Sequence, residues 1–168
     1  ANTTITGTLT LTSGLLYLGN YDLIMAAGSS IVGGNASSYI VTNGSGRLIQ
    51  QNIGAGGITG NVTYPVGANG TSYTPVVIKN TGTKDDFSIR LLTHLNSSYN
   101  GTSPTGTTYA TNAVAKTWII EEAAVGGSNL TVTLLWNGTD ELSGFNRSNL
   151  MVQRYNGAGT SISSGAAT

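Results

Sequence analysis

His94 and three acidic pairs are the residues of this chain whose side chains could take part in catalysis. His94 is the single histidine, and no serine and aspartate accompany it in a recognisable triad arrangement. The pairs Asp85-Asp86, Glu121-Glu122 and Asp140-Glu141 could serve glycoside hydrolysis, which needs two carboxylates that face one another. Adjacent carboxylates on a strand, however, point to opposite faces of the sheet. We therefore expect solvated turn charges and no enzyme.

The same acidic residues are the candidates for a metal site. Asp85/Asp86 and Asp140/Glu141 could offer oxygen ligands to Ca²⁺, but a calcium loop has Asp or Asn at alternating positions, and neither pair does. The chain has no cysteine, so it has no thiolate ligand or nucleophile. No glycine-rich phosphate loop follows a strand and opens a helix. The sequence predicts no metal site and no cofactor, with calcium binding at these two pairs left open.

Tyr99 and Tyr109 are the candidates for binding a ligand through their rings. Both lie in the polar stretch from Asn96 to Asn112, which shows no strand pattern and is expected to be an exposed loop. Exposed aromatic rings can stack on sugar rings. A carbohydrate-binding module of a secreted protein, with surface glycans as the ligand, is therefore the alternative function.

Charge and hydropathy exclude several classes of partner. Charged residues make up 8% of the chain, and the formal net charge is +0. Such a surface does not attract nucleic acid or an anionic membrane. The sequence contains no apolar run of 18 residues, so we expect no membrane insertion. The surface must be covered by Thr, Ser, Asn and Gly, which is common in extracellular and cell-surface β-proteins.

The segment 115–138 gives the strongest indication of the fold. Alternating side chains in 117–122 and again in 130–136 predict two strands, each with one face in a core. The glycines at 126 and 127 indicate a turn between them. We predict a β-hairpin that carries Trp118 and Trp136 into the core of an antiparallel β-sandwich.

The first third of the chain has a different pattern. Short apolar runs recur between residues 14 and 53, separated by Gly and Asn residues that accept positive φ at corners. We predict an all-β protein with a short solenoid-like or tightly wound N-terminal part over residues 1–57. The antiparallel β-sandwich follows over residues 58–168, or both parts form one continuous unit. The tail 157–168 is expected to be loosely ordered or extended.

Residues 2–12 form a comb of alternating threonines that predicts a strand. A solvated sheet face is the simplest interpretation. Ice binding would require the comb to recur in the next segments, and it does not. The functional interpretation is a terminal strand that pairs with a neighbouring subunit. The candidate pairing residues are Thr4, Ile5, Thr6, Thr8, Leu9, Thr10 and Leu11.

Several strings of the sequence resemble modules of large secreted proteins of Bacteroidota. They include GLLYLGNYDLIM at 14–25, SSYIVTNGSGRL at 37–48, and SYTPVVIKN at 72–80. The strings WIIEE at 118–122 and LMVQRYNG at 150–157 continue the resemblance. It implies export by the type IX secretion system and a place in a cell-surface or adhesin-like protein. It supplies no catalytic residue.

Together these observations predict a structural subunit or repeat of an extracellular surface filament or adhesin. Its partners would be copies of itself or flanking repeats, joined head-to-tail by strand donation from residues 2–12 or from the C-terminal tail.

Overall fold

The computed structural model of the chain describes residues 1–100, 103–155 and 160–165. Strands account for 52% of the structure and helical turns for 4%. The helical part consists of two short 3₁₀ turns, Gly138–Asp140 and Arg147–Asn149, within the described residues. The all-β prediction is confirmed.

The strands are numbered in chain order. They are β1 (Thr3–Ile5), β2 (Thr8–Leu11), β3 (Gly14–Tyr17), β4 (Leu23–Met25), β5 (Ser30–Gly33), β6 (Ser38–Val41), β7 (Leu48–Ile53), β8 (Val62–Tyr64), β9 (Val66–Gly67), β10 (Val76–Asn80), β11 (Asp85–Leu92), β12 (Asn96–Tyr99), β13 (Pro104–Thr108), β14 (Thr117–Glu122), β15 (Leu130–Leu134), β16 (Leu150–Tyr155) and β17 (Thr160–Gly165).

Parallel pairing dominates the first part of the chain. β1 pairs with β4 and β4 with β7, so that Thr3, Leu23 and Leu48 lie side by side. β2 pairs with β5 in the same sense, and β3 with β6 and then β9. Three successive strands are therefore followed by three more that stack beside them in the same order. These ladders fit a tightly wound chain, and the solenoid-like form of this part stays a prediction.

The terminal threonine comb forms two strands rather than one. β1 ends at Ile5 and β2 begins at Thr8, and Thr6 and Gly7 form a bend between them. The prediction of a single strand over residues 2–12 is wrong in this respect. Alternation of side chains continues across the bend, so it could not reveal that the two halves pair with different strands.

Antiparallel strands complete the core. β11 pairs antiparallel with β7, and β10 pairs antiparallel with both β8 and β15. Ile78 of β10 and Phe87 of β11 are fully buried in one cluster with Met25, Ile40 and Leu48 of the parallel strands. The parallel and antiparallel sheets therefore share a single hydrophobic core, whose burial is the main favourable contribution to folding.

The two tryptophan-bearing segments do not form a hairpin. β14 is a neighbour of β11 in a five-stranded sheet ordered β1-β4-β7-β11-β14, whereas β15 belongs to a three-stranded sheet ordered β15-β10-β8. The hairpin prediction is wrong, because each segment finds its partner among distant strands. Trp118 packs against the core, but Trp136 lies beyond the end of β15, and Leu130 and Val132 are each 37% exposed.

The described residues divide into two compact units. The larger comprises Ala1–Leu92 and Trp118–Asn137, and the smaller comprises the described residues within Thr93–Thr117 and Gly138–Thr168. This division differs from the predicted boundary between residues 57 and 58, because β7, which precedes that boundary, pairs directly with β11, which follows it.

Two antiparallel hairpins belong to the smaller unit. β12 pairs with β13, and β16 pairs with β17. The prediction of an exposed loop at 96–112 is therefore wrong in part. Some of its Asn, Ser and Thr residues form paired strands through backbone hydrogen bonds, which composition does not reveal. The predicted tail includes β17, while residues 157–159 and 166–168 lie outside the described residues.

Candidate functional site

The candidate site is the free side of the first three strands, called here the open edge (β1, β2 and β3). β1 is the outermost strand of the five-stranded sheet, and β3 is the outermost strand of its three-stranded sheet. β2 pairs only with β5. Within the described residues, all three successive strands therefore have a partner on one side only.

Hydrogen bonds show which backbone groups of β1 face outward. Thr3 N donates to Asp22 O (2.9 Å), and Ala26 N donates to Ile5 O (2.9 Å). Successive residues of a strand direct their N–H and C=O groups to opposite sides. Thr3 and Ile5 therefore face β4, and the backbone N–H and C=O of Thr4 point away from the sheet.

The same reasoning applies to β2 and β3. Ser30 N donates to Gly7 O (3.3 Å), so Thr8 and Thr10 direct their N–H groups away from β5. Leu18 N donates to Val41 O (3.0 Å), which places the outward backbone groups of β3 at Leu15 and Tyr17.

The side chains of the predicted pairing residues fall into two sets. Ile5, Leu9 and Leu11 are partly buried and pack against the core cluster. Thr4, Thr8 and Thr10 are exposed, and Thr6, in the bend between β1 and β2, is exposed as well. The residues that the sequence selected therefore include three whose backbone faces outward, Thr4, Thr8 and Thr10.

A shallow, mainly apolar depression lies beside the open edge. Its lining includes Ile5, Leu9, Leu16, Tyr17 and Tyr21. Leu16 is 39% exposed, Tyr17 55% and Tyr21 57%. The first 21 residues contain no charged side chain. Within the described residues, the edge therefore offers unpaired backbone groups next to mainly apolar surface. Strands β1, β2 and β3 carry no charged side chain, and Asp22 is the charged residue in the lining of the depression.

Every acidic side chain of the sequence has a partner within the protein. Each of the seven acidic side chains accepts a hydrogen bond or pairs with a cation from the protein. Their partners are Arg47 N for Asp22 (2.9 Å), Ala124 N for Asp85 (2.9 Å), Asn52 N for Asp86 (2.9 Å), Arg47 Nη1 for Glu121 (2.6 Å), Gly126 N for Glu122 (3.1 Å), Lys116 Nζ for Asp140 (2.6 Å) and Arg147 Nε for Glu141 (2.7 Å).

The calcium hypothesis gains no support from this arrangement. No group of three or more His, Cys, Asp or Glu side chains in the described part of the chain could hold a metal ion. His94 is half-buried after β11, and its carbonyl accepts a hydrogen bond from Thr117 Oγ1 (2.7 Å). Among the described residues, no carboxylate hydrogen-bonds to its ring.

The two candidate sugar-binding tyrosines differ in their surroundings. The ring of Tyr99 is half-buried and stacks edge-on against Tyr155, with the ring centroids 5.1 Å apart. Tyr109 is 45% exposed. Tyr109 is thus the more accessible of the two, because part of Tyr99 is covered by Tyr155. Carbohydrate binding at these residues stays a prediction.

Comparison with known proteins identifies no relative. No family model matches the chain, and neither a curated protein nor a solved structure does. The resemblance to exported Bacteroidota modules therefore stays a prediction. In the described ranges, no helix is long and apolar enough to cross a membrane.

Sequence reasoning missed one part of the open edge. It did not include Leu15 and Tyr17 of β3, because their segment reads as one of several short apolar runs. The absence of charge over residues 1–21 is the signal that could have joined β3 to β1 and β2.

Proposed function

We propose that this chain is a structural subunit or repeat of an extracellular surface filament or adhesin, and that a strand from a neighbouring copy adds to the open edge. One observation carries the proposal: in the part of the chain that the structure describes, three successive strands each pair on one side only. A row of unpaired N–H and C=O groups is a template for another strand.

The composition of the open edge supports this role. Natural proteins protect an exposed edge with charged residues, proline or bulges, because an unprotected edge aggregates. Residues 3–17 contain neither a charged residue nor a proline. An edge of three strands without such protection is best explained if its pairing partner is part of the function.

The geometry of such a contact favours growth. Two open edges, one from each copy, could pair with each other only if a two-fold axis relates the copies. If the added strand comes from a different part of the neighbour, the contact is heterologous and does not close on itself. Repetition of that contact produces a filament. The neutral, Thr-, Ser- and Asn-rich surface is compatible with an extracellular location.

A proline substitution tests the proposal without disturbing the fold. Thr10→Pro removes an N–H that points away from β5, so the β2–β5 ladder keeps all its bonds, and proline is tolerated on edge strands. We expect the wild-type chain to form polymers and the variant to remain monomeric in sedimentation velocity. Its circular dichroism spectrum should match that of the wild type.

Thr10→Val is the matched control, because it keeps the backbone N–H and the shape of the side chain. This variant should polymerise like the wild type. Polymers of undiminished length from the proline variant would overturn the proposal. Deletion of residues 1–12 is a poorer test, because it would leave β4 as a new outermost strand and would remove the described pairing partner of β5.

A further inference from the structure

Lys116 and Asp140 form a buried pair in the smaller unit. Lys116 Nζ lies 2.6 Å from Asp140 Oδ1, and the two side chains are 4% and 8% exposed. The other two ion pairs of the described residues, Arg47–Glu121 and Arg147–Glu141, each have at least one side chain that is about half exposed. Lys116 and Asp140 are thus the pair from which water is most completely excluded.

The backbone holds these two residues in place from both sides. Ala115 N donates to Asp140 O (2.8 Å), and Leu142 N donates to Ala113 O (2.8 Å). Val114 and Glu141 form an antiparallel bridge between these bonds. The segments that carry the amine and the carboxyl group are therefore fixed relative to one another before any reaction takes place.

The hydrogen bonding of the lysine is incomplete for an ammonium ion. A protonated lysine has three N–H donors, and within the described residues Lys116 Nζ has one acceptor, Asp140 Oδ1. A buried charge is costly unless all its donors are satisfied. A condensation of the two groups begins with the transfer of one proton from the ammonium to the carboxylate, and its product carries neither buried charge.

We propose that Lys116 and Asp140 condense to an intramolecular amide cross-link. The lone pair of the neutral amine attacks the carboxyl carbon of Asp140, and a C–N bond forms. The nitrogen gives up one proton, and the C–O bond to the hydroxyl group breaks. The hydroxyl leaves with that proton as one molecule of water. No atom changes its oxidation state, so the step needs no oxidant, reductant or cofactor.

Position and desolvation together favour this reaction. Two groups held in contact react as if at an effective concentration of about 10⁵ M or more. Because the site is largely closed to solvent, water that has left it is not readily available to hydrolyse the amide. The product also replaces two buried charges with a neutral amide. The cross-link would join two segments 24 residues apart in a chain that has no cysteine for a disulfide.

Intact-mass measurement of the purified, denatured chain tests the cross-link. We expect a mass lower than that of the sequence by one molecule of water. Trypsin should fail to cleave after Lys116, and tandem spectra should show a branched peptide that joins the segments around Lys116 and Asp140. A cyclic imide at an aspartate would also remove one water, but it would leave cleavage after Lys116 intact.

Lys116→Arg is the informative variant, because it keeps a cation opposite Asp140 and cannot form this amide. It should have the full mass expected from its sequence, whereas the control Lys79→Arg, on the exposed side of β10, should show the same loss of water as the wild type. Full mass together with normal tryptic cleavage after Lys116 in the wild type would overturn the proposal, even if Lys116→Arg does not fold.

Discussion

The phenol of Tyr64 shows how single buried polar groups set the pH range of this fold. Tyr64 is 1% exposed, and its hydroxyl donates to Phe87 O (2.9 Å). Burial raises the pKa of this phenol far above its ordinary value of about 10. The folded state therefore keeps the proton at a pH where the unfolded chain releases it.

This difference predicts a loss of stability in alkali. Above about pH 10 the unfolded state loses a proton that the folded state keeps, so the free energy of unfolding falls as pH rises, by about 1.4 kcal/mol per pH unit for this one group. Tyr64→Phe lacks this dependence. Its stability should be lower by about 1–2 kcal/mol at neutral pH, because the hydrogen bond to Phe87 O is lost, and should fall less steeply above pH 10.

Urea unfolding of both proteins at several pH values between 8 and 11 measures the two slopes, with ~1 kcal/mol differences resolvable. Tyr21→Phe, which removes an exposed phenol, is the control and should follow the wild type at neutral pH. Equal slopes for Tyr64→Phe and the wild type in alkali would show that Tyr64 ionises without unfolding the chain.

Asn80 illustrates what residue types alone could not predict. Its buried amide donates to Ile53 O (3.0 Å) and Thr83 O (2.8 Å), and its oxygen accepts from Gly82 N and Asn129 N (2.9 Å each). In the sequence it is one asparagine among many in turn-like contexts. The same holds for the carboxylates. Their spacing in the sequence predicted no catalytic role, and it could not predict their partners, most of which lie on distant segments.

At the scale of elements, the corners between parallel strands determine whether the ladders can stack. Gly33 ends β5 with φ +84°, and a Cβ at this position would collide with Leu11 O of the paired strand β2. Gly28, in the corner before β5, has φ +81° and no neighbouring atom within 4 Å of such a Cβ. The two glycines have nearly the same φ and differ in the space around them.

Alanine substitutions at these two glycines should therefore differ in cost. Gly28→Ala should lower the free energy of unfolding by about 1–2 kcal/mol, the cost of the left-handed conformation. Gly33→Ala should cost more than this, because the ladder between β2 and β5 must also shift to make room for the methyl group. Thermal or urea unfolding of both variants measures the difference, and equal losses would show that Leu11 O does not restrict this corner.

Individual strands could be predicted from alternation, but their partners could not. The pattern identified β14 and β15, because a period of two is a local property. Pairing depends on which strand buries the same face, so β14 and β15, adjacent in sequence, belong to different sheets. The prediction of the open edge was incomplete for a related reason. The threonine comb marked β1 and β2, but nothing local marked β3 as their neighbour on the same free side.

At the scale of the whole molecule, the division into two units was beyond the sequence pattern. The larger unit takes Trp118–Asn137 from a distant part of the chain, and the smaller unit is interrupted by that same segment. A single boundary between residues 57 and 58 cannot describe a unit that is interrupted by a segment of the other unit. The larger unit contains the complete open edge, so the surface that accepts the added strand in the proposed assembly belongs to that unit.

Electron microscopy of the purified chain at neutral pH tests the proposed assembly most directly. If a neighbouring copy adds a strand to β1, β2 and β3, the wild-type chain forms regular filaments, and Thr10→Pro gives isolated particles under the same conditions. Isolated particles from the wild-type chain at every protein concentration would contradict self-assembly through the open edge.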